Sequence, residues 1–215
     1  MVDYPWKSGE AEHTHAILFP VIRDTLRQAA ASGRTLRVLD VGSGNGALTA
    51  AIAGLGHDVM GIEPSAEGIA QARRHFPGVR FESGSGYDDL RDRFGTFDIV
   101  VSCEVIEHLL TPGVYLKRIR EVLGPESLAI ISTPYHGYIK NLAIAAFGKW
   151  DFHHHPAREW GHVKFFSRRT LNELAAEVGL QEAAFHRVGR VPVVAKSMIS
   201  VFRPVPVQSL GGSHG

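Results

Sequence analysis

Two carboxylates and an imidazole stand close together in Glu104-Val105-Ile106-Glu107-His108-Leu109. If the chain turns helical there, Glu104, Glu107 and His108 fall at i, i+3 and i+4 and share one face. That trio suits a divalent metal. It equally suits a polar helix start, where the dipole favours acids and His108 bonds to one of them. Upstream, Val38-Leu39-Asp40-Val41-Gly42-Ser43-Gly44-Asn45-Gly46 sets three glycines at alternate positions after an apolar strand. Such a turn bends tightly and approaches a ligand without Cβ obstruction. A helix N-terminus follows at once, and open α/β sheets bind ligands at the carboxyl ends of their strands. Glu63 ends the next strand 21 residues after Gly42, where its carboxylate could accept two hydrogen bonds from ribose hydroxyls.

Two other readings of this turn stay open. It could be a plain strand-to-helix turn, with Glu63 a solvated strand end. It could also bind a dinucleotide, as in a nicotinamide-dependent oxidoreductase, since Gly42, Gly44 and Ala47 satisfy G-x-G-x-x-G/A and Glu63 has the right spacing. Against the dinucleotide stands Asp40, an acid in an apolar strand, placed to order the loop and receive a cationic ligand. The chain also leaves no room for a separate substrate domain.

The elements around these residues follow from periodicity. Ile17, Leu18, Val21, Ile22 and Leu26 recur at helical spacing, with Pro20 obscuring where that helix starts. Strands are expected at 36–41, 58–63, 79–83, 97–102 and 127–133, and helices at 47–55, from Ser65 to about Phe76, from Pro112, and from Ser167 to Val178. Two late strands, 182–188 and 195–202, have no helix between them. Alternating strands and helices imply a mostly parallel α/β sheet covered on both faces and closed by an antiparallel hairpin. Residues 135–160 are too long for a simple loop and read as a lid or substrate segment, with a short helix at 139–147.

The 215 residues fit one domain, expected over 1–203, with 204–215 a loose tail. The balance of 23 Lys+Arg against 22 Asp+Glu gives no footprint for nucleic-acid binding, so a small-molecule partner is expected. The lone Cys103 can make no internal disulfide, no apolar run reaches a membrane span, and the N-terminus lacks a signal-peptide core; the cytoplasm is the expected compartment.

The glycine loop resembles the first motif of class I S-adenosylmethionine-dependent methyltransferases, and the resemblance extends over most of the chain. Glu63, followed by Pro64, matches that family's ribose-binding acid, and Ser83-Gly84-Ser85-Gly86 takes the adenine-side position after strand three. Ser85 stands where many relatives carry an Asp. Phe97-Asp98-Ile99-Val100-Val101-Ser102-Cys103-Glu104 matches the fourth-strand motif. The resemblance implies a Rossmann-like, doubly wound, seven-stranded sheet. It also implies S-adenosylmethionine held by Asp40, Gly42, Ser43, Gly44, Asn45, Gly46, Glu63, Pro64, Ser85, Gly86, Cys103 and Glu104.

Five of the 12 histidines (His136, His153, His154, His155, His162) fall in the long segment between strand five and the next capped helix, and His162 leads directly into that helix. With Glu104-x-x-Glu107-His108, this resembles two metal-dependent groups, the ubiquinone-biosynthesis O-methyltransferases and the small-RNA 2′-O-methyltransferases. The ligands so implied are Glu104, Glu107, His108 and His162, with His108 and His162 also the catalytic residues. Two oxygens and two nitrogens suit Zn²⁺, Mn²⁺ or Fe²⁺ better than Mg²⁺. The acceptor so implied is a hydroxyl on a small molecule. N- or C-methylation without a metal stays open beside it.

The remaining residues take plainer readings. The His153-His154-His155 run is too closely spaced for a natural metal site and reads as lid surface or substrate contact. Trp150 and Trp160 line a pocket or pin the lid, while Lys164, Arg168 and Arg169 fit a solvated helix start. Cys103 is a pocket wall rather than a nucleophile. Trp6, Lys7 and the histidines at 13 and 15 could close over the donor.

Overall fold

The computed structural model describes residues 13–31, 33–154, 157, 161–191 and 194–205. Trp6, Lys7, His155, Trp160 and most of the expected tail lie outside them. The first helix, α1 (His13–Ala29), runs straight through Pro20 and buries Leu18, Ile22 and Leu26 at helical spacing. Then the chain alternates: β1 (Arg37–Val41), α2 (Ala47–Ala53), β2 (Asp58–Glu63), α3 (Ala66–His75), β3 (Arg80–Ser83), α4 (Leu90–Phe94) and β4 (Phe97–Cys103). Next come α5 (Pro112–Glu121), β5 (Leu123–Pro134), α6 (Tyr138–Ala146), α7 (Trp150–His154), α8 (Arg168–Glu177), β6 (Leu180–Val188) and β7 (Ser197–Pro204).

Local chemistry explains several boundaries. The Ser65 side chain accepts from the Gly68 amide at the start of α3. Pro112 sits in the first turn of α5, where no N–H is needed. Ser167 and Thr170 form a reciprocal capping box on α8. The short helix α4 was not expected, because five residues leave too little periodicity to read.

The seven strands order as β3-β2-β1-β4-β5-β7-β6, parallel from β3 through β5, with β7 antiparallel to both neighbours. This is the expected doubly wound sheet with an antiparallel C-terminal pair. Residues alternate between its faces. Leu39, Val41 and Val100 join α5 and α8 through Leu116, Ile119 and Leu171. Val38, Ile99 and Val101 join α1 and α2 through Leu18, Ile22, Leu48 and Ile52. Full burial of each such aliphatic contributes about 1.5–3 kcal/mol, so both faces hold the central strands rigidly. Among the described residues, no helix is long and apolar enough to cross a membrane.

Strand order reverses direction between β1 and β4, so their carboxyl ends open a crevice. The glycine turn, Glu63 and Glu104 all leave the sheet at that edge.

Candidate active site

Gly42, Gly44 and Gly46 all have positive φ, at 81°, 54° and 82°. A Cβ on Gly42 would lie 2.5 Å from Val105 Cγ2, and one on Gly46 2.6 Å from Phe81 Cζ. Only glycine serves at these two positions. The amides of Gly42 and Ser43 both donate to the Ile62 carbonyl, which anchors the turn to β2. Asn45 Oδ1 accepts from the Ala47 amide, closing the turn onto α2.

Glu63 is 7% exposed and acts as a clasp. One oxygen accepts from the Gly44 amide at 2.9 Å and the other from the Ser65 amide at 3.0 Å. Burial pushes its carboxyl above the usual range, and the Ser65 and Gly44 amides pull it partly back. Each oxygen keeps a lone pair for a further donor. Pro64 follows on the exposed rim. The plain reading of Glu63 as a solvated strand end therefore fails, because the residue is buried and hydrogen-bonded.

Asp40 is 1% exposed and accepts a 2.6 Å hydrogen bond from Thr49 Oγ1, tying β1 to α2. Burial pushes its carboxyl up to about 7, Thr49 lowers it, and the Glu63 charge raises it further. The folded chain thus keeps a proton that the unfolded chain releases near pH 3.8, so stability falls as pH rises between about 4 and 7. The contribution is on the order of a few kcal/mol. Asp40→Asn, which can still accept from Thr49, is expected to lose less melting temperature than the native chain between pH 5 and 8. Glu63 and Glu107, raised in the same direction, leave a residual slope. Calorimetric melts at both pH values check this, and an undiminished drop in the variant would refute the assignment to Asp40.

On the adenine side, the Ser85 amide donates to Asp88 Oδ2 at 3.0 Å, and Ser85 Oγ accepts from the Tyr87 amide. An acid therefore stands at this loop although Ser85 is not one; sequence reading missed Asp88 because it lies three residues further on. A Cβ on Gly86 would overlap the Tyr115 ring, whose buried hydroxyl pairs with Ser102 Oγ at 2.7 Å. Cys103 is free and buried; burial, then the Asp40 charge, push its thiol up, which suits a wall and not a nucleophile.

The acidic stretch after β4 folds differently from the helix pictured above. Glu104 has φ 55°, left-handed for a residue with a side chain, and only Ile106–His108 make a helical turn, of the tight 3₁₀ type. The i, i+3, i+4 face for Glu104, Glu107 and His108 does not form. The Glu104 amide donates to Ser132 Oγ at 3.1 Å, which fixes this turn against the neighbouring β5. Glu104 is held by Ser132 Oγ at 2.8 Å and by Ser197 Oγ at 3.4 Å. Those two serines sit on β5 and β7, far apart in sequence, and no local pattern flags them.

Glu107, His108 and His162 do converge, their ligand-type atoms lying within 4.8 Å of one another. Glu104 is outside that set. Glu107 is 0% exposed, and neither carboxylate oxygen completes a hydrogen bond of normal geometry. Burial and the nearby Glu104 charge push its carboxyl well above the usual range; its own amide and Thr133 oppose this. His162 Nε2 lies 4.0 Å from Glu107 Oε1, and the His108 and His162 rings meet edge-on with centroids 4.8 Å apart. The Glu107 carbonyl accepts from both the Val163 and Lys164 amides at 2.9 Å, which roots the chain carrying His162 on the turn carrying Glu107. A buried carboxylate with bare oxygens beside two imidazoles fits a divalent cation, with one oxygen and two nitrogens favouring Zn²⁺, Mn²⁺ or Fe²⁺ over Mg²⁺.

The expected lid is helical in two pieces, α6 and α7. His153 and His154 lie on α7, and Trp150 packs against His154 at 4.3 Å between ring centroids.

A methyltransferase-domain family matches residues 13–183 of this chain. The chain is 33% identical over 174 residues to a ubiquinone biosynthesis O-methyltransferase of Cereibacter sphaeroides, covering 79% of this chain and 65% of that protein. It is 35% identical over 116 residues to the enzyme of that name from Azorhizobium caulinodans, covering 53% of this chain and 46% of that protein. The chain thus spans about half to two thirds of these relatives' length. In fold it resembles the magnesium protoporphyrin IX methyltransferase of Synechocystis solved with bound SAH, with TM-score 0.68, 14% identity and coverage of 92% and 90% of the two chains. The CcbJ methyltransferase of Streptomyces caelestis gives TM-score 0.67 at 15% identity, covering 94% of each chain. None of these neighbours is a nicotinamide-dependent oxidoreductase. With its glycine turn at the carboxyl end of β1 and a family match across most of its length, the chain belongs to the methyltransferase-domain family.

Proposed function

We propose that the protein transfers a methyl group from S-adenosylmethionine to a hydroxyl of a small molecule, and that Glu107, His108 and His162 hold a divalent ion beside it. The convergence of those three side chains, with both Glu107 oxygens bare, carries the reading. The O-methyltransferase names of the relatives support the hydroxyl. The donor would lie over residues 42–46, its ribose on Glu63 and its adenine beside Ser85, Asp88 and Gly86. Asp40, bonded to Thr49, braces the strand end beneath the loop, and Cys103 walls the pocket. Glu104, pinned by Ser132 and Ser197, adds negative charge near the sulfonium and the ion rather than a direct ligand bond. The lone buried cysteine and the even charge balance fit a cytoplasmic protein acting on small molecules, with residues 1–203 as one domain.

In-line methyl transfer forms an oxygen–carbon bond and releases a neutral thioether, while the acceptor hydroxyl gives up its proton. The fixed crevice supplies alignment. A bound divalent ion would lower the acceptor's pKa by Lewis acidity. Without an ion, Glu107 faces His162 Nε2 as a carboxylate–imidazole pair, which would let the other ring nitrogen, Nδ1, take that proton. Calorimetric titration with S-adenosylhomocysteine and with NAD, followed by turnover assays in chelator, tests both levels. Binding of the homocysteine compound alone is expected, as is activity lost in chelator and restored by Zn²⁺, Mn²⁺ or Fe²⁺. Binding of NAD alone would sink the donor assignment, and full activity in chelator would sink the ion.

A further inference from the structure

Between α6 and the end of β5 lies a group of polar side chains that methyl transfer leaves unused. Lys140 is 8% exposed, and its Nζ donates to the carbonyls of Tyr135 at 2.8 Å and Ala195 at 3.2 Å. An ammonium has three N–H donors, and among the described residues no carboxylate lies within 4.0 Å of this one. A buried charge in that condition is costly until it is paired.

His136, also 8% exposed, has no completed hydrogen bond at either ring nitrogen, and Asn141 Oδ1 and His154 Nε2 are equally bare. His136 stacks on His154 at 5.7 Å between centroids and meets Phe165 edge-on at 5.1 Å. Phe165 lies three residues beyond His162, so the group adjoins the acidic–imidazole cluster. Burial, then the Lys140 charge, hold His136 at about 4 against the opposing pull of Asn141, leaving a neutral ring with one donor and one acceptor. Lys140 is itself pushed down by burial and by Arg190, while Glu104 pulls it up, which sets the ammonium within electrostatic reach of the site.

We propose that Lys140 and His136, faced by His154, cradle a carboxylate carried by the methyl acceptor. One free lysine N–H and one imidazole N–H match the two oxygens of a carboxylate; a phosphate would want more donors. The donor also has a carboxylate, but the cradle stands at β5 and β7, across β4 from the glycine turn at β1 and β2. The inference rests on the methyl-transfer reading only for which molecule brings the anion.

The test is calorimetric titration of the full chain with 3,4-dihydroxybenzoate and the neutral 3,4-dihydroxybenzamide, with and without saturating S-adenosylhomocysteine. The benzoate is expected to bind at least about tenfold tighter, as a charge-assisted contact implies. Lys140→Met should erase that preference and Lys140→Arg keep it, with S-adenosylhomocysteine affinity unchanged in both. If Lys140→Met does not fold, His136→Gln leaves both lysine–carbonyl bonds intact and should weaken the benzoate several-fold but not the benzamide. Equal affinities, no benzoate binding, or a preference that survives Lys140→Met would overturn the proposal. Selective loss of S-adenosylhomocysteine in Lys140→Met would also overturn it, by giving the cradle to the donor. A benzoate preference in a protein that binds no S-adenosylhomocysteine would instead refute the methyl-transfer reading and leave the cradle standing.

Discussion

Glu63→Ala is expected to weaken S-adenosylhomocysteine binding by at least about a hundredfold. Two effects add. The substitution removes the carboxylate proposed to hold the ribose, and it strips the Gly44 and Ser65 amides of their acceptor. Hydrogen bonds to charged groups contribute about 1.5–3 kcal/mol each, and 1.4 kcal/mol is tenfold in affinity. Since the Gly44 amide lies in the middle of the glycine turn, the turn itself loosens with the contact. Glu63→Gln separates the two effects. Its amide oxygen still accepts from one of the two amides, while its nitrogen cannot accept from the other. An intermediate loss of roughly tenfold is expected. Calorimetry on both variants checks this, with circular dichroism to confirm folding. A change below threefold in Glu63→Ala would remove the ribose role.

Glu107→Gln should move activity and stability in opposite directions. In the ion-free protein its carboxyl is 0% exposed, completes no hydrogen bond of normal geometry, and is pushed up by burial and by Glu104. Replacing it by a neutral isostere removes a buried charge, so the ion-free variant should melt higher than the native chain at pH 8. The native chain should gain stability from a divalent ion, by about 2.7 kcal/mol at a hundred times its Kd. The variant should gain almost none, and its turnover should fall by roughly a hundredfold or more, as for loss of a Lewis-acid centre. His162→Ala should share the loss of turnover without the gain in melting temperature, because its ring is exposed. An ion-induced shift that survives in Glu107→Gln would end the idea that this carboxylate is a ligand.

Much of this arrangement is legible from local pattern. The glycine spacing, the acid at the end of β2 and the N-caps of α3 and α8 are each determined by neighbours within a few residues. The hairpin of β6 and β7 follows from two apolar runs without a helix between them. What escaped is non-local. The stretch from Glu104 to His108 has helical spacing, yet it leaves β4 in an abrupt turn with a left-handed Glu104. Ser132 and Ser197 hold that residue from 28 and 93 positions away. Asp40 reads as a pocket acid by sequence, and only the packed structure reveals its bond to Thr49 and its near-complete burial. Lys140 gives no signal of its own within the short helix expected at 139–147; its ammonium is held by the Ala195 carbonyl, 55 positions away.

The double grip of the Glu107 carbonyl on Val163 and Lys164 has a consequence for how this scaffold could diverge. At the other end, the Tyr135 amide is fastened to the Lys196 carbonyl at 3.1 Å. The chain between these two fastenings is expected to tolerate changes in length, since doubling the length of a tethered loop costs only about 0.6 kcal/mol. Grafting a foreign segment there would change which molecules are admitted while His162 stayed in register with Glu107.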